Sequence, residues 1–269
     1  MTDVLDHGPT PSALLAAYQE QLRARILPDD KSTLDADGPL VRKTRHAGRG
    51  FLTYRDLGGL TGGDLDALID RQREHWTALG RPVEWKLHGH DEPADLPARL
   101  AAAGFAPQDR ETVIVGEVAG MAGEPVLAEG LRIREVTAHD DFVRIQRLME
   151  AVWGVDCSWI PGDFAHEVSD EGDPAVIIVV EDAGGLVVCA SWVRFHAGTE
   201  FASFHGGSTL AEWRGRGVYK ATVAYRARLA AARGFRYVHV DASDDSRPIL
   251  RRLGLFAVAS TTPYVLTPA

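Results

Sequence analysis

Arg214-Gly215-Arg216-Gly217-Val218-Tyr219-Lys220 joins an apolar run, Phe201 to Leu210, to a helical pattern, Val218 to Ala232. Two glycines let backbone come close to a ligand, because neither carries a Cβ. A helix that starts there presents unpaired N–H groups and the positive end of its dipole. Such a turn is a place to hold a phosphate. The charges agree. From Trp213 to Arg236 the cations are Arg214, Arg216, Lys220, Arg226, Arg228, Arg233 and Arg236, with no acidic residue, in a chain of net charge −9. The positive charge is therefore local, and Arg214, Arg216 and Lys220 are expected to meet phosphates. Arg226, Arg228, Arg233 and Arg236 lie on or just after the helix at several azimuths, and most of them read as solvated surface.

The remaining composition bounds the answer. The chain has 269 residues, 45% apolar and 25% charged, which suits a globular protein of one large or two modest domains. A net charge of −9 argues against nucleic acid as a partner. Cys157 and Cys189 stand far apart without a partner at metal-ligand spacing, so neither zinc nor a disulfide framework is expected. Met1 to Pro11 shows no secretory pattern, and no apolar run approaches a membrane span. A cytoplasmic protein without a membrane partner is the expectation.

Periodicity gives an ordered series of elements. The spacing predicts a helix over Ser12 to Leu27 with Ser12 as N-cap, strands over Leu40 to His46 and Gly50 to Asp56, and a glycine turn from Gly58 to Gly63. A helix from Asp64, a strand at Val83 to His88, a short helix ending at Gly104 and a strand at Thr112 to Glu117 follow. Val118 to Gly130 has three glycines, a proline and no period, and marks a boundary between domains at 1–120 and 130–269. Beyond it come a strand from Leu131, helices over Asp140 to Trp153 and Pro161 to Val168, strands at Ala175 to Glu181, Gly185 to Phe195 and Phe201 to Leu210, the helix from Val218, a strand at Tyr237 to Ala242, a helix over Ser246 to Leu253 and a last strand from Phe256. The order strand, helix, Gly-Phe, strand occurs after Val83 and again after Tyr237, each time preceded by a glycine-rich turn and a helix. This reads as an internal duplication.

The loop is not a dinucleotide fingerprint, since the third glycine is missing; Asp241 at the distance of a ribose-binding acid weakens that exclusion. It is not a Walker loop, since no Gly-Lys-Ser/Thr follows. Leu131 to Leu266 instead resembles the GNAT superfamily of acyl-CoA-dependent N-acyltransferases, whose loop is Gln/Arg-x-x-Gly-x-Gly/Ala. Arg214 and Gly217 match, and Tyr219 stands where the last glycine or alanine is usual. The resemblance implies an α+β fold: a mixed, mostly antiparallel sheet flanked by helices, preceded by a degenerate GNAT-like N-terminal unit. It implies acetyl-CoA as co-substrate, with no metal. Its pyrophosphate would lie on Arg214, Gly215, Arg216, Gly217, Val218, Tyr219 and Lys220, and its pantetheine arm along Ser208, Thr209 and Leu210.

Two departures matter. The family's Asn and acid Tyr after the fifth strand align here with Ser243 and Leu250, and Leu250 has no proton to give. Ser243 is carried over as a cofactor contact. For the base that relieves the attacking amine of its proton, Glu200, His205 and Asp241 are the candidates. Trp192 and Arg194 share a strand face and could line an acceptor site. The expected reaction is direct attack by an amine, small molecule or peptide, on acetyl-CoA. A non-catalytic acyl-CoA-binding regulatory module is the alternative, and a binding scaffold formed by both halves is a third. A homodimer is one expected assembly. In the first half, Tyr54 to Gly63 has glycines but only Arg55 as cation, between Asp56 and Asp64, so an anion is less welcome there. His88, His90 and Asp91 lack a metal-binding spacing.

Overall fold

The computed structural model describes residues 9–24, 32–45, 49–169 and 175–268. Helix α1 covers Pro11–Tyr18 and continues as one wider π turn, Gln19–Arg23. Residues 25–27 of the expected helix, and His46 of the expected strand, lie outside the described residues. Thr10, not Ser12, caps α1: its Oγ1 accepts from Ala13 N at 3.2 Å. Pro11 decides this, because its fixed φ and missing N–H suit the first helical position.

The N-terminal half then runs β1 (Ser32–Asp37), β2 (Leu40–Arg45), β3 (Gly50–Thr53), α2 (Gly62–Ala78), β4 (Val83–His88), α3 (Leu96–Ala102), β5 (Ala106–Pro107) and β6 (Glu111–Glu117). The C-terminal half runs β7 (Arg132–Val136), α4 (His139–Trp153), α5 (Ile160–Ser169), β8 (Val176–Glu181), β9 (Val187–Phe195), β10 (Phe201–Thr209), α6 (Val218–Ala232), β11 (Tyr237–Ala242), α7 (Arg247–Arg252) and β12 (Phe256–Leu266). β1 has no counterpart in the expectations drawn from sequence. Its residues, Ser-Thr-Leu-Asp-Ala-Asp, carry little apolar signal, and among the described residues it pairs with β2 alone, at the edge of the sheet.

All strands share one sheet, in the order β1-β2-β3-β4-β12-β6-β11-β10-β9-β8-β7, with β5 on β12. Every pairing is antiparallel except β3–β4 and β10–β11. The sheet crosses the 118–130 segment without a break. β6, from the first half, lies beside β11, and β12, the last strand of the chain, lies beside β4. Each half thus lends its final strand to the other, and β6 and β12 pair in the middle.

Alternation sorts the side chains to two faces. In the C-terminal half, Val193, Phe204, Val238 and Val240 pack with Val223, Ala227 and Leu250 beneath α6 and α7. On the other face Ile177, Ala190 and Trp192 pack with Phe142 and Phe164 of α4 and α5. α1 covers that same face near the junction, where Leu14 and Tyr18 meet Val113, Val115, Phe201 and Tyr237. The N-terminal half has its own core around Leu52, Trp76, Trp85, Leu100 and Phe105.

Candidate active site

β10 and β11 pair only at Phe201–Ser203 with Tyr237–His239. Beyond that point they part. A β-bulge between Gly206 and Ser208 turns β10 away while its pairing with β9 continues through Ser208 and Thr209. The bulge demands glycine twice: Gly206 and Gly207 have φ of +67° and +86°. A Cβ on Gly206 would meet the Trp192 ring, and one on Gly207 would overlap the Tyr219 ring. From Phe204 onward β10 therefore offers an edge toward β11 that no strand occupies. Ser208 Oγ accepts from Trp153 Nε1 at 2.8 Å, and Thr209 Oγ1 donates to Cys189 Sγ at 3.3 Å. Leu210 leaves the sheet after donating its N–H to Val188 O at 3.0 Å.

The chain then makes a single 3₁₀ turn, Ala211–Trp213, and enters the loop. Gly215 and Gly217 take φ of +72° and +78°, conformations a side chain would strain, and Gly217 caps α6. The first bond of that helix runs from Ala221 N to Gly217 O, so the N–H groups of Val218, Tyr219 and Lys220 are left outward. No acidic residue stands in its first turn. Arg214, Arg216 and Lys220 are exposed beside these donors, whereas Val218 is buried against Val180 and Val188. Arg214 Nε donates to Thr209 O at 3.1 Å, which fixes the guanidinium at the end of β10, and Arg216 stacks over the Trp213 ring at 5.0 Å. Ser243 is exposed in the turn before α7, its Oγ accepting from Ser246 N at 3.4 Å.

Arg226 corrects an expectation. It is not solvated surface but 1% exposed, one of the largest enclosed side chains. Nη1 donates to His205 O at 3.0 Å, the guanidinium lies 4.7 Å from the Phe204 ring centre, and Nη2 has no hydrogen-bond partner. Val218, Thr222, Arg226 and Ala230 recur every four residues and are all buried, a spacing that carries the signal.

On the opposite face of the parting, the residue after β9 joins β10 and β11 in a polar chain. His196 Nε2 lies 2.6 Å from Ser203 Oγ, Ser203 Oγ 3.2 Å from His239 Nδ1, and His239 Nε2 3.3 Å from Asp241 Oδ1. Asp241 is also ion-paired to Lys86 of β4, which lies 3.4 Å from Glu111. Burial works to raise the Asp241 carboxyl, but Lys86 and His239 outweigh it and hold it well below the usual carboxylate range. Burial pushes the His196 imidazole down to about 3. Tyr18 of α1 covers the group, its ring 5.0 Å from that of His239.

Of the three base candidates, Asp241 belongs to this cluster and His205 adjoins it. The His205 ring stacks on Trp192 at 6.0 Å, burial drives its imidazole well below the ordinary value, and its Nε2 is enclosed without a partner. Glu200 lies at the far end. It precedes β10, its carbonyl accepts from Tyr237 N at the start of β11, and its carboxylate takes a 2.9 Å bond from Gln21 Nε2. The strands are still paired between Glu200 and the opening, so the geometry separates it from the other two. Arg194 is clamped by Glu167 of α5 through two bonds of 2.9 and 3.0 Å. His239, Ser203 and His196 were absent from the sequence candidates. His239 and Asp241 share a face by period two, but their meeting with Ser203 depends on the strand register. Among the described residues no group of three His, Cys, Asp or Glu is placed to hold a metal ion. No helix there is long and apolar enough to cross a membrane.

No family model and no curated protein matches the chain. Solved structures do. A GCN5-related N-acetyltransferase from Kribbella flavida superposes with a TM-score of 0.63 at 17% identity, covering 95% of this chain and 94% of the other. The chain has the GNAT fold. A tandem GNAT protein from the clavulanic acid biosynthesis pathway gives a TM-score of 0.60 at 16% identity and 95% coverage of both chains. A GCN5-related N-acetyltransferase from Sphaerobacter thermophilus gives 0.59 at 15% identity, covering 96% and 93%. The likeness spans both halves, so the N-terminal strands belong to the matched architecture.

Proposed function

We propose that the protein is an acetyl-CoA-dependent N-acyltransferase whose reaction centre is the opening between β10 and β11. The observation that carries this is the coincidence of three features: strands that part at Ser203–His239, a glycine bulge at Gly206–Gly207, and a cationic, acid-free helix N-terminus above them. The opening fits the substrate, because β10 has a strand edge to spare and the loop has N–H donors to spare. N–H groups from Gly215 to Lys220, with Arg214, Arg216 and Lys220, would hold the pyrophosphate. The edge at Ser208, Thr209 and Leu210 would take the pantetheine amides, with Ser243 across the gap.

The amine, free or on a peptide, would approach from the face of His196, Ser203, His239 and Asp241. It attacks the thioester carbonyl as a neutral nucleophile; the C–N bond forms and the C–S bond breaks. His239 is better suited than Asp241 to take the amine proton. Asp241 is already neutralised by Lys86 and serves to orient the imidazole. His205, held neutral by burial, shapes the wall. The likeness to a tandem GNAT protein supports a tandem reading of the two halves, and the acidic residues of the first-half turn favour acetyl-CoA in the second alone.

Leu250 is fully buried in the α6–α7 core, so no phenol comes from its position, which is the observation behind a binding-only module. Titration calorimetry with acetyl-CoA tests binding, and absence of heat at high micromolar concentration rejects both readings. Thiol release from bound acetyl-CoA across an amine panel separates catalysis from binding. His239→Ala is expected to lower that release by about 10²–10⁴-fold with little change in acetyl-CoA affinity.

A further inference from the structure

With Leu250 in the core, the departing thiolate needs another proton source. Tyr18 lies over His239 on the amine's face, and a second phenol stands at the bulge itself. Tyr219, the second residue of α6, lays its ring against the bulge at Gly207, so closely that a Cβ there would overlap it. The Arg226 guanidinium and Ser246, before α7, are near enough to this phenol to pull its pKa down against burial. Arg226 is buried with Nη2 unpaired, a cation enclosed where an unpaired charge is costly. It gains a partner if negative charge appears on the phenol. The family's small residue at this loop position is thus replaced by a phenol, and the family's phenol position is filled by an aliphatic side chain.

We propose that Tyr219 is the general acid of this site, giving its phenolic proton to the coenzyme A thiolate while Arg226 stabilises the phenolate that remains. This rests on the acyl-transfer reading above. As the C–S bond breaks, sulfur keeps the bonding pair and takes the Tyr219 proton. The amine's own proton leaves on the opposite face through His239, and the phenolate is reprotonated from water when product departs. Besides Arg226, the titratable group facing the phenol is Cys189 of β9, which burial pushes up to about 11 and so keeps neutral. Burial raises the phenol above its ordinary value against the pull of Arg226, so it carries its proton at neutral pH.

The test uses the full chain and coenzyme A itself. Calorimetry measures affinity for the wild type, Tyr219→Phe and Tyr219→Ala, and the ultraviolet absorbance of the thiolate follows the titration of the bound thiol. Tyr219→Phe keeps the ring and is expected to bind coenzyme A within about twofold of wild type, while its bound thiol titrates about one pH unit higher for want of one hydrogen bond. A thiol that titrates alike in both proteins overturns the role of Tyr219 and leaves acyl transfer standing. Coenzyme A binding at least about tenfold tighter to Tyr219→Ala also overturns it, because the ring would then be a plug in the pantetheine path. Wild type that binds no coenzyme A overturns the acyl-transfer reading itself.

Discussion

The two halves of the sheet share a plan and differ at one place. Each has a strand, a glycine turn, a helix and a parallel strand: β3, α2 and β4 in the first, β10, α6 and β11 in the second. In the second half β10 runs nine residues, bulges at Gly206–Gly207 and leaves a gap. In the first, β3 is four residues long and the corresponding space is filled. Tyr54, next after β3, is buried; its hydroxyl donates to Asp91 Oδ2 at 2.6 Å and accepts from Trp85 Nε1 at 3.1 Å. Asp91 in turn pairs with Arg23. The turns differ in the same sense. Asp56 already takes the N–H of Gly58, and Asp64 sits in the first turn of α2, where it occupies the dipole an anion would use. One frame thus carries either an opening or a structural plug, depending on turn charge and on what fills the parting.

Charge reversal should break this comparison most sharply. Arg214→Glu with Arg216→Glu is expected to weaken coenzyme A binding by at least about 100-fold in calorimetry, the loss of two charge-assisted contacts plus repulsion. Arg55→Glu in the first-half turn should change it by less than about twofold. Next come the glycines. Gly207→Ala meets both a φ of +86° and the Tyr219 ring, and should cost about 2–4 kcal/mol in denaturant unfolding. Gly58→Ala, at φ +62° with open space around it, should cost about 1–2 kcal/mol.

The contact between halves comes third. Lys86→Met removes the cation beside Asp241 and should cost about 2 kcal/mol at pH 7, less than a fully enclosed pair because both side chains keep some solvent access. Because Lys86 depresses the Asp241 carboxyl, this contribution is present above the unfolded carboxylate range and is lost only as pH falls through the lower folded value. The smallest effect is shared. His88 in the first half and His196 in the second are held down to about 3, first of all by burial. Both stay neutral in the fold while the unfolded chain takes up protons below about pH 6.5. Each should therefore cost about 1 kcal/mol of stability by pH 5.5. The melting temperature should fall from pH 7 to 5.5, and less steeply in His196→Asn.

What could be read in sequence followed from local chemistry. The loop, α6 and the order of elements rest on glycines, cations and periodicity that need no partner. β1 was hidden because an edge strand of Ser, Thr and Asp has no apolar alternation to show. The exchange of β6 and β12 was hidden because Thr112–Val115 reads as a strand whatever lies beside it. For the same reason Asp241 and His205 were found singly, while the His196–Ser203–His239–Asp241 chain needed the register of β9, β10 and β11. Arg226 was not told apart from the solvated arginines, although its place four residues after Thr222 turns it inward.

The most direct test is the stoichiometry of coenzyme A binding to the intact chain by titration calorimetry, wild type beside Arg214→Glu with Arg216→Glu. A cofactor site confined to the second half predicts one coenzyme A per chain, abolished in the double variant. Two sites per chain, no binding at all, or binding that survives the double reversal would contradict it.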